Sequence, residues 1–241
     1  MESAQTKMKV EIWSDVMCPF CYIGKRKFEK ALDGFAHKNQ VEVEWKSFQL
    51  DPSMKTDPNL SITRMLAEKK GWTEQQAKQM NDHITGLARE VGLTYRFDKA
   101  VVANSFDAHR FSHLAKEHGL QDRAEERLFA AYFTEGKNTA DHDTLIQLGT
   151  DIGLDAKEVA DMLASDKYAD EVRRDGFEAQ QVGARGVPFF VLGSKYAVSG
   201  AQDSSVFSQA LDTTWQEWHR EHPVSVIGTA DGAVCGPDGC D

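Results

Sequence analysis

Four cysteines stand in this 241-residue chain as two close pairs: Cys18 and Cys21, spaced Cys-Pro-Phe-Cys, and Cys235 and Cys240, which enclose Gly-Pro-Asp-Gly. Thiols three positions apart can close a disulfide across one short loop, or supply half of a zinc site. Context separates the two. Cys18 falls between an alternating segment, 8–13, that reads as a strand, and a segment in which Ile23, Phe28, Leu32 and Phe35 recur near helical spacing. Pro19 suits a first helical position, where its missing N–H is not needed. At a helix N-terminus, unpaired N–H groups and the helix dipole favour a thiolate, the nucleophile of disulfide exchange. Cys18 is then the attacking thiol. Cys21, one turn on and more buried, resolves the mixed disulfide. Asp15 reads as a turn or cap residue rather than a proton shuttle.

A second signal is Gly186-Val187-Pro188. A proline that opens a strand after a helix fits a cis-proline loop whose preceding residue offers its main chain to a substrate polypeptide. Alone, the segment equally fits a trans proline beginning an edge strand. The tail pair leaves three readings open: a mobile second dithiol exchanging electrons with Cys18 and Cys21, a local or metal-bound clip, or an inert pair. Gly-Pro and Asp-Gly are turn formers, and a disulfide across so short a loop should be strained and easily reduced.

Other candidates are weaker. His109 and His113 share a helix face at a spacing that suits a metal pair, but no further ligands cluster near them in sequence, so they read as a packed or solvated face. Trp13, Trp45, Phe189 and Phe190 read as core. No metal site is expected.

The elements that must position Cys18 follow from periodicity. Residues 41–48 alternate, with Val41, Val43 and Trp45 on one face, so strand, helix and strand suggest a βαβ unit. From about 55 to 180 the texture is helical, over 60–70, 74–92, 104–119, 122–135, 141–152 and 155–165, with Asp57-Pro58 at a helix start and no strand candidate. Strand texture returns at 187–192. Gly193-Ser194 reads as a two-residue turn into a partner strand at 195–199. A last helix, about 203–219, offers Val206, Leu211, Trp215 and Trp218 for packing. Beyond Pro223 the chain is rich in Gly and small residues, so a mobile extension is expected.

Lys and Arg number 28 against 38 Asp and Glu, a net charge of −10. Such a chain repels nucleic-acid phosphates and anionic lipid, so neither nucleic acid nor membrane is an expected partner. No apolar run approaches the ~20 residues of a bilayer span. The start, MESAQTKMKVEIW, carries no apolar signal core, and the expectation is a cytoplasmic protein.

The combination SDVMCPFCYIGK, a long helical insert and GARGVPFFVLGSKYAVSGAQ resembles the DsbA-like thioredoxin-fold oxidoreductases, and within them the FrnE-type disulfide isomerases, over about residues 8–219. The resemblance implies an α/β thioredoxin fold, βαβ…ββα in one mixed sheet, with a large all-helical insertion and a flexible tail. The division would be 1–53 with 177–223 for the thioredoxin-like domain, 54–176 for the insertion and 224–241 for the tail. It implies Cys18 as nucleophile, Cys21 as resolving thiol and Val187-Pro188 as a cis peptide facing them. The insert would cover the dithiol, with Pro19, Phe20, Asn104, Phe106 and His109 lining the substrate cleft. It raises the reading of Cys235 and Cys240 as a second redox pair.

Two departures bear on function. The intervening dipeptide is Pro-Phe, not the Pro-His of the periplasmic oxidants, so a strongly oxidising potential does not carry over; and no signal peptide is read at the start, so the periplasmic role is not expected to carry over either. Kappa-class glutathione transferases and hydroxychromene carboxylate isomerases carry Ser where this chain has Cys18. The expectation is a thiol-disulfide oxidoreductase or isomerase acting on substrate proteins and small thiols. It needs no organic cofactor, its electrons coming from glutathione or a protein reductase. The alternatives are a zinc- or cadmium-binding protein using all four thiols, and a glutathione-dependent isomerase of small aromatic acids.

Overall fold

The structure, a computed structural model, describes residues 7–222 together with the backbone of two short strands, Cys235–Gly236 and Gly239–Cys240. The central sheet holds β1 (Met8–Ser14), β2 (Val41–Ser47), β5 (Phe189–Leu192) and β6 (Tyr196–Ser199) in the order β2-β1-β5-β6. β1 pairs parallel with β2 and antiparallel with β5, with Trp13 opposite Phe189. The parallel pair is joined by α1 (Pro19–Asp33), as a crossover requires, and α9 (Ser204–Glu221) packs beside α1. This is the βαβ…ββα mixed sheet of the thioredoxin fold.

Burial follows the alternation. Met8, Val10 and Ile12 are fully buried on one face of β1, where Phe207 of α9 meets Phe28 of α1 and Phe190 edge-on and Phe28 lies tilted against Phe190. In α9 the packed residues are Phe207, Leu211, Thr214 and Trp215, while Val206 is exposed. Leu211 and Trp215 fix the helix phase, and 207 rather than 206 completes their i, i+4 row.

The insertion carries α2 (Ile62–Lys70), α3 (Glu74–Glu90), α4 (Phe106–Glu117), α5 (Gln121–Phe129), a π-helical turn (Ala130–Glu135), α6 (His142–Ile152), α7 (Ala156–Leu163) and α8 (Ala169–Gln181). It is not wholly helical. Asp57–Ser61, expected as a helix start, forms β3 and pairs with β4 (Val101–Val102). Five largely exposed residues have no periodicity to read, and their partner lies some forty positions away. α8 falls in a stretch with helical texture but no delimited segment, and runs unbroken through position 176. The β5–β6 connection is three residues, 193–195, rather than two: Gly193 and Ser194 both take positive φ, and Leu192 pairs with Tyr196.

Asp175 of α8 ties insertion to sheet. Its carboxylate accepts the Ser47 N–H at 2.9 Å and lies 3.0 Å from His113 Nε2 and 3.3 Å from Lys46 Nζ, and its carbonyl accepts the Trp13 indole N–H. Burial alone would raise its pKa, but the His113 and Ser47 bonds and the Lys46 charge more than offset this and hold the carboxyl below its ordinary value. Removing one member of such a buried set leaves the rest uncompensated. Asp175→Ala is expected to lower the unfolding free energy by about 3 kcal/mol in urea titrations followed by circular dichroism; a loss within 0.5 kcal/mol, roughly the surface-mutation range, would show the network to be idle.

Candidate active site

β1 ends at Ser14, and the chain turns through Asp15, whose carbonyl accepts the Cys18 N–H at 2.9 Å. Cys18 is the N-cap of α1, with extended backbone and no side-chain cap bond, and Pro19 opens the helix. Cys21 completes the first turn, its N–H bonded to the Cys18 carbonyl at 3.0 Å. Both are unbridged thiols. Cys18 keeps 4% exposure and Cys21 none.

The peptide between Val187 and Pro188 is cis, and it lies against the dithiol: Cys18 Sγ is 3.5 Å from the Val187 carbonyl oxygen. Strand β5 starts at Phe189, so Val187 and Pro188 belong to the loop before it. A Cβ added at Gly24 would stand 2.9 Å from Pro188 Cγ and 3.5 Å from the Phe190 ring, so only a glycine lets α1 come this close to the loop. Tyr95 buttresses the other side, its hydroxyl donating to the Pro19 carbonyl at 2.7 Å. Sequence reading passed over both. A glycine inside a helical pattern is itself a signal of close approach, whereas Tyr95 meets Pro19 only through tertiary folding.

The two thiols differ electrostatically. The Cys21 pKa is pushed well above the ordinary thiol value, first by burial and then by the neighbouring Cys18, with the Ser14 hydroxyl and Asp15 main chain pulling the other way. Asp15 is a buried turn residue: its carboxylate accepts the Met17 N–H at 3.3 Å and the Leu50 N–H at 2.7 Å. It also lies 3.6 Å from His109 Nε2.

The expected cleft residues part company. Pro19 and Phe20 line an apolar pocket beside the dithiol, and Phe20 is 38% exposed. His109 is buried beneath the loop, facing Asp15 rather than a cleft. Asn104 holds the 49–56 loop: it donates to the Met54 carbonyl at 2.8 Å and accepts from Gln49 Nε2 and the Phe106 N–H. With Phe106 it lines a separate polar cavity of about 370 Å³. The i, i+4 spacing of His109 and His113 thus gives each a buried aspartate, Asp15 and Asp175. The side chains of Cys235 and Cys240, and with them both the second dithiol and the four-thiol metal reading, lie outside the described residues; their backbones stand opposite one another in the short antiparallel pair.

The family described as the DSBA-like thioredoxin domain matches residues 9–212 of this chain. The chain belongs to that family. It is 30% identical over 206 residues to the uncharacterized protein YwbO of Bacillus subtilis, which covers 84% of this chain and 94% of YwbO. Among solved structures it is similar to a probable DsbA oxidoreductase, SCO1869, of Streptomyces coelicolor, at 43% identity and a TM-score of 0.82, covering 97% of this chain and 98% of that one. The cytosolic disulfide reductase DsbM of Pseudomonas aeruginosa shares the fold, at 16% identity and a TM-score of 0.62, covering 87% and 99%. Among the described residues of this DsbA-like chain, no helix is long and apolar enough to cross a membrane.

Two expectations follow from the site. Gly24→Val should lower stability by about 2 kcal/mol through overpacking against Pro188, whereas Gly86→Ala, in open space on α3, should raise it by about 0.5 kcal/mol; urea midpoints read both. The His109 pKa is also raised above 6.5: burial opposes this, but the Asp15 carboxylate outweighs it. A raised folded pKa contributes stability that is fully present below the unfolded value and lost as pH rises through the folded one. The stability gap between the parent protein and Asp15→Asn should therefore be widest near pH 6 and shrink as pH climbs. A gap constant from pH 6 to 9 would show that His109 does not titrate against Asp15.

Proposed function

We propose that the chain is a thiol-disulfide oxidoreductase exchanging disulfides with polypeptide substrates through Cys18. The observation that carries this is the position of Cys18 at the N-cap of α1, 3.5 Å from the Val187 carbonyl, with a buried, high-pKa Cys21 behind it. The Cys18 thiolate attacks one sulfur of a substrate disulfide, and the other leaves as a thiolate and takes up a proton. Cys21 then loses its proton and attacks Cys18, closing the Cys18–Cys21 disulfide and releasing the substrate with both thiols reduced. Two electrons pass from protein to substrate. Two equivalents of glutathione, or a protein reductase, restore the dithiol, and no organic cofactor takes part.

The high pKa of Cys21 bears on the outcome. A resolving thiol that ionises reluctantly prolongs the mixed disulfide, giving a thiol of the substrate itself time to attack and rearrange its own disulfides. This supports reductase and isomerase activity from one site. Pro-Phe between the cysteines adds no cationic side chain there, so a strongly oxidising role is not part of the proposal. A cytoplasmic location and electron transfer through Cys235 and Cys240 belong to the same proposal; the turn chemistry of the tail supports the second.

Insulin reduction by the full-length protein, with trapping of mixed disulfides by mass spectrometry, tests the assignment. Cys18→Ser should lose about a hundredfold or more in rate and form no adduct through position 18. Cys21→Ser should accumulate a substrate adduct on Cys18. Exchange that survives in Cys18→Ser, or an adduct that forms first on Cys21, would sink it.

A further inference from the structure

Beside the dithiol lies an apolar pocket of about 270 Å³, bounded by the first turn of α1, by α2 and α3, and by the π-helical turn. Met17, Pro19 and Phe20 form the wall that adjoins Cys18, and Met65, Met80 and Tyr132 are among the residues across from them. Three methionines make walls that adapt to an incoming shape. Lys70 is the one charged residue of the lining and Asn81 the one amide. Asn81 is 4% exposed. Its Nδ2 donates to Thr63 Oγ1 at 3.2 Å, but its Oδ1 is shielded from solvent and has no hydrogen-bond partner among the described residues. Asn81 lines both this pocket and a larger cavity beside Thr63 and Lys78; buried acceptors are normally satisfied, and an orphan there points to a donor arriving with a ligand.

The pocket adjoins Cys18 on one side. On the other stands the Val187 main chain, whose N–H makes no main-chain hydrogen bond among the described residues. A polypeptide with its cysteine over Cys18 can reach both, its backbone towards Val187 and a neighbouring side chain in the pocket. We infer that the pocket receives an aromatic side chain with a hydrogen-bond donor, tyrosine or tryptophan, next to the reacting cysteine of the substrate polypeptide. This rests on the oxidoreductase reading above. The ring meets the methionines and Phe20, and its O–H or N–H meets Asn81.

The test uses short peptides whose single cysteine carries glutathione in disulfide linkage, with Tyr, Trp, Phe or Ala on either side of it. Single-turnover rates are measured with the prereduced full-length protein, and glutathione disulfide serves as the reference substrate. Tyr and Trp peptides should react about tenfold faster than Ala peptides, and Tyr about threefold faster than Phe. Asn81→Leu should bring Tyr and Phe level while both stay ahead of Ala. Met80→Asp, at a half-exposed position that folding tolerates, should shrink the aromatic preference itself. Each comparison is a ratio within one variant, so a general loss of activity does not imitate the effect. Equal rates across the peptides would overturn the inference. So would a Tyr-to-Ala ratio unchanged in both variants. Equal peptide rates with inhibition by free 4-methylphenol would give the pocket to a small aromatic molecule and overturn the polypeptide assignment. Failure to exchange with any disulfide, glutathione disulfide included, would remove the oxidoreductase reading along with it.

Discussion

The close approach of α1 to the loop at Pro188 is the contact on which the site depends. A helix presents its backbone to a neighbour only where a side chain is missing, and Gly24 supplies that gap one turn after Cys21. Because α1 can lie this near, Cys18 sits within 3.5 Å of the Val187 carbonyl. The loop is held in turn by β5, locked antiparallel to β1 with Trp13 opposite Phe189. β1 also delivers the chain into the Cys18 turn. Both halves of the site therefore hang from adjacent central strands, although nearly 170 residues separate them in sequence.

The insertion is bound to the same helix by charge. Lys25, one turn past Cys21 and only 2% exposed, is ion-paired to Glu29, to Asp122 at 3.2 Å and to Glu126 at 3.4 Å. Asp122 also accepts the Trp45 indole N–H, and Glu126 pairs with Arg26 and accepts the Tyr22 hydroxyl. Two of the three ion pairs of this buried ammonium are made with α5, so separating α5 from α1 would forfeit both. Tyr22 stacks on Phe129, and Tyr95 on Phe133, continuing the join in apolar contacts. The apolar pocket is a by-product of this docking: it is the gap between a helix fixed by its approach to the Pro188 loop and helices fixed by their own packing.

What could be read from the sequence divides along the range of the forces involved. The placement of Cys18, Pro19 and Cys21 was legible because it follows from a strand-to-helix turn a few residues long. The strands and most helices were legible from period and caps. β3 and β4 were not, since their pairing is the only thing that makes them strands. The phase of α9 was off by one position at Val206, where two adjacent apolar residues left periodicity with a choice that packing settles. Asn104 and His109 were assigned to the cleft through resemblance. Asn104 spends its hydrogen bonds on a loop and His109 faces Asp15 at 3.6 Å, and a residue type alone does not say where its partners will lie.

α4 shows why the histidine pair misleads as a motif yet matters as structure. His109 and His113 lie one turn apart, and their partners come from either side of α4 in the sequence: Asp15 after β1 and Asp175 in α8. Each imidazole can balance one buried carboxylate that also receives main-chain N–H groups, from Leu50 and Met17 in one case and from Ser47 in the other. Without His109, Asp15 would be left with main-chain donors alone, whereas Asp175 would keep Lys46 at 3.3 Å. The i, i+4 spacing would also suit a metal pair, and imidazoles backed by carboxylates are what a metal site needs as well. Here the carboxylates make the histidines struts, which set the depth of the turn carrying Cys18 relative to the insertion. A change at His109 should therefore be felt at the dithiol through Asp15 without any contact between His109 and a substrate.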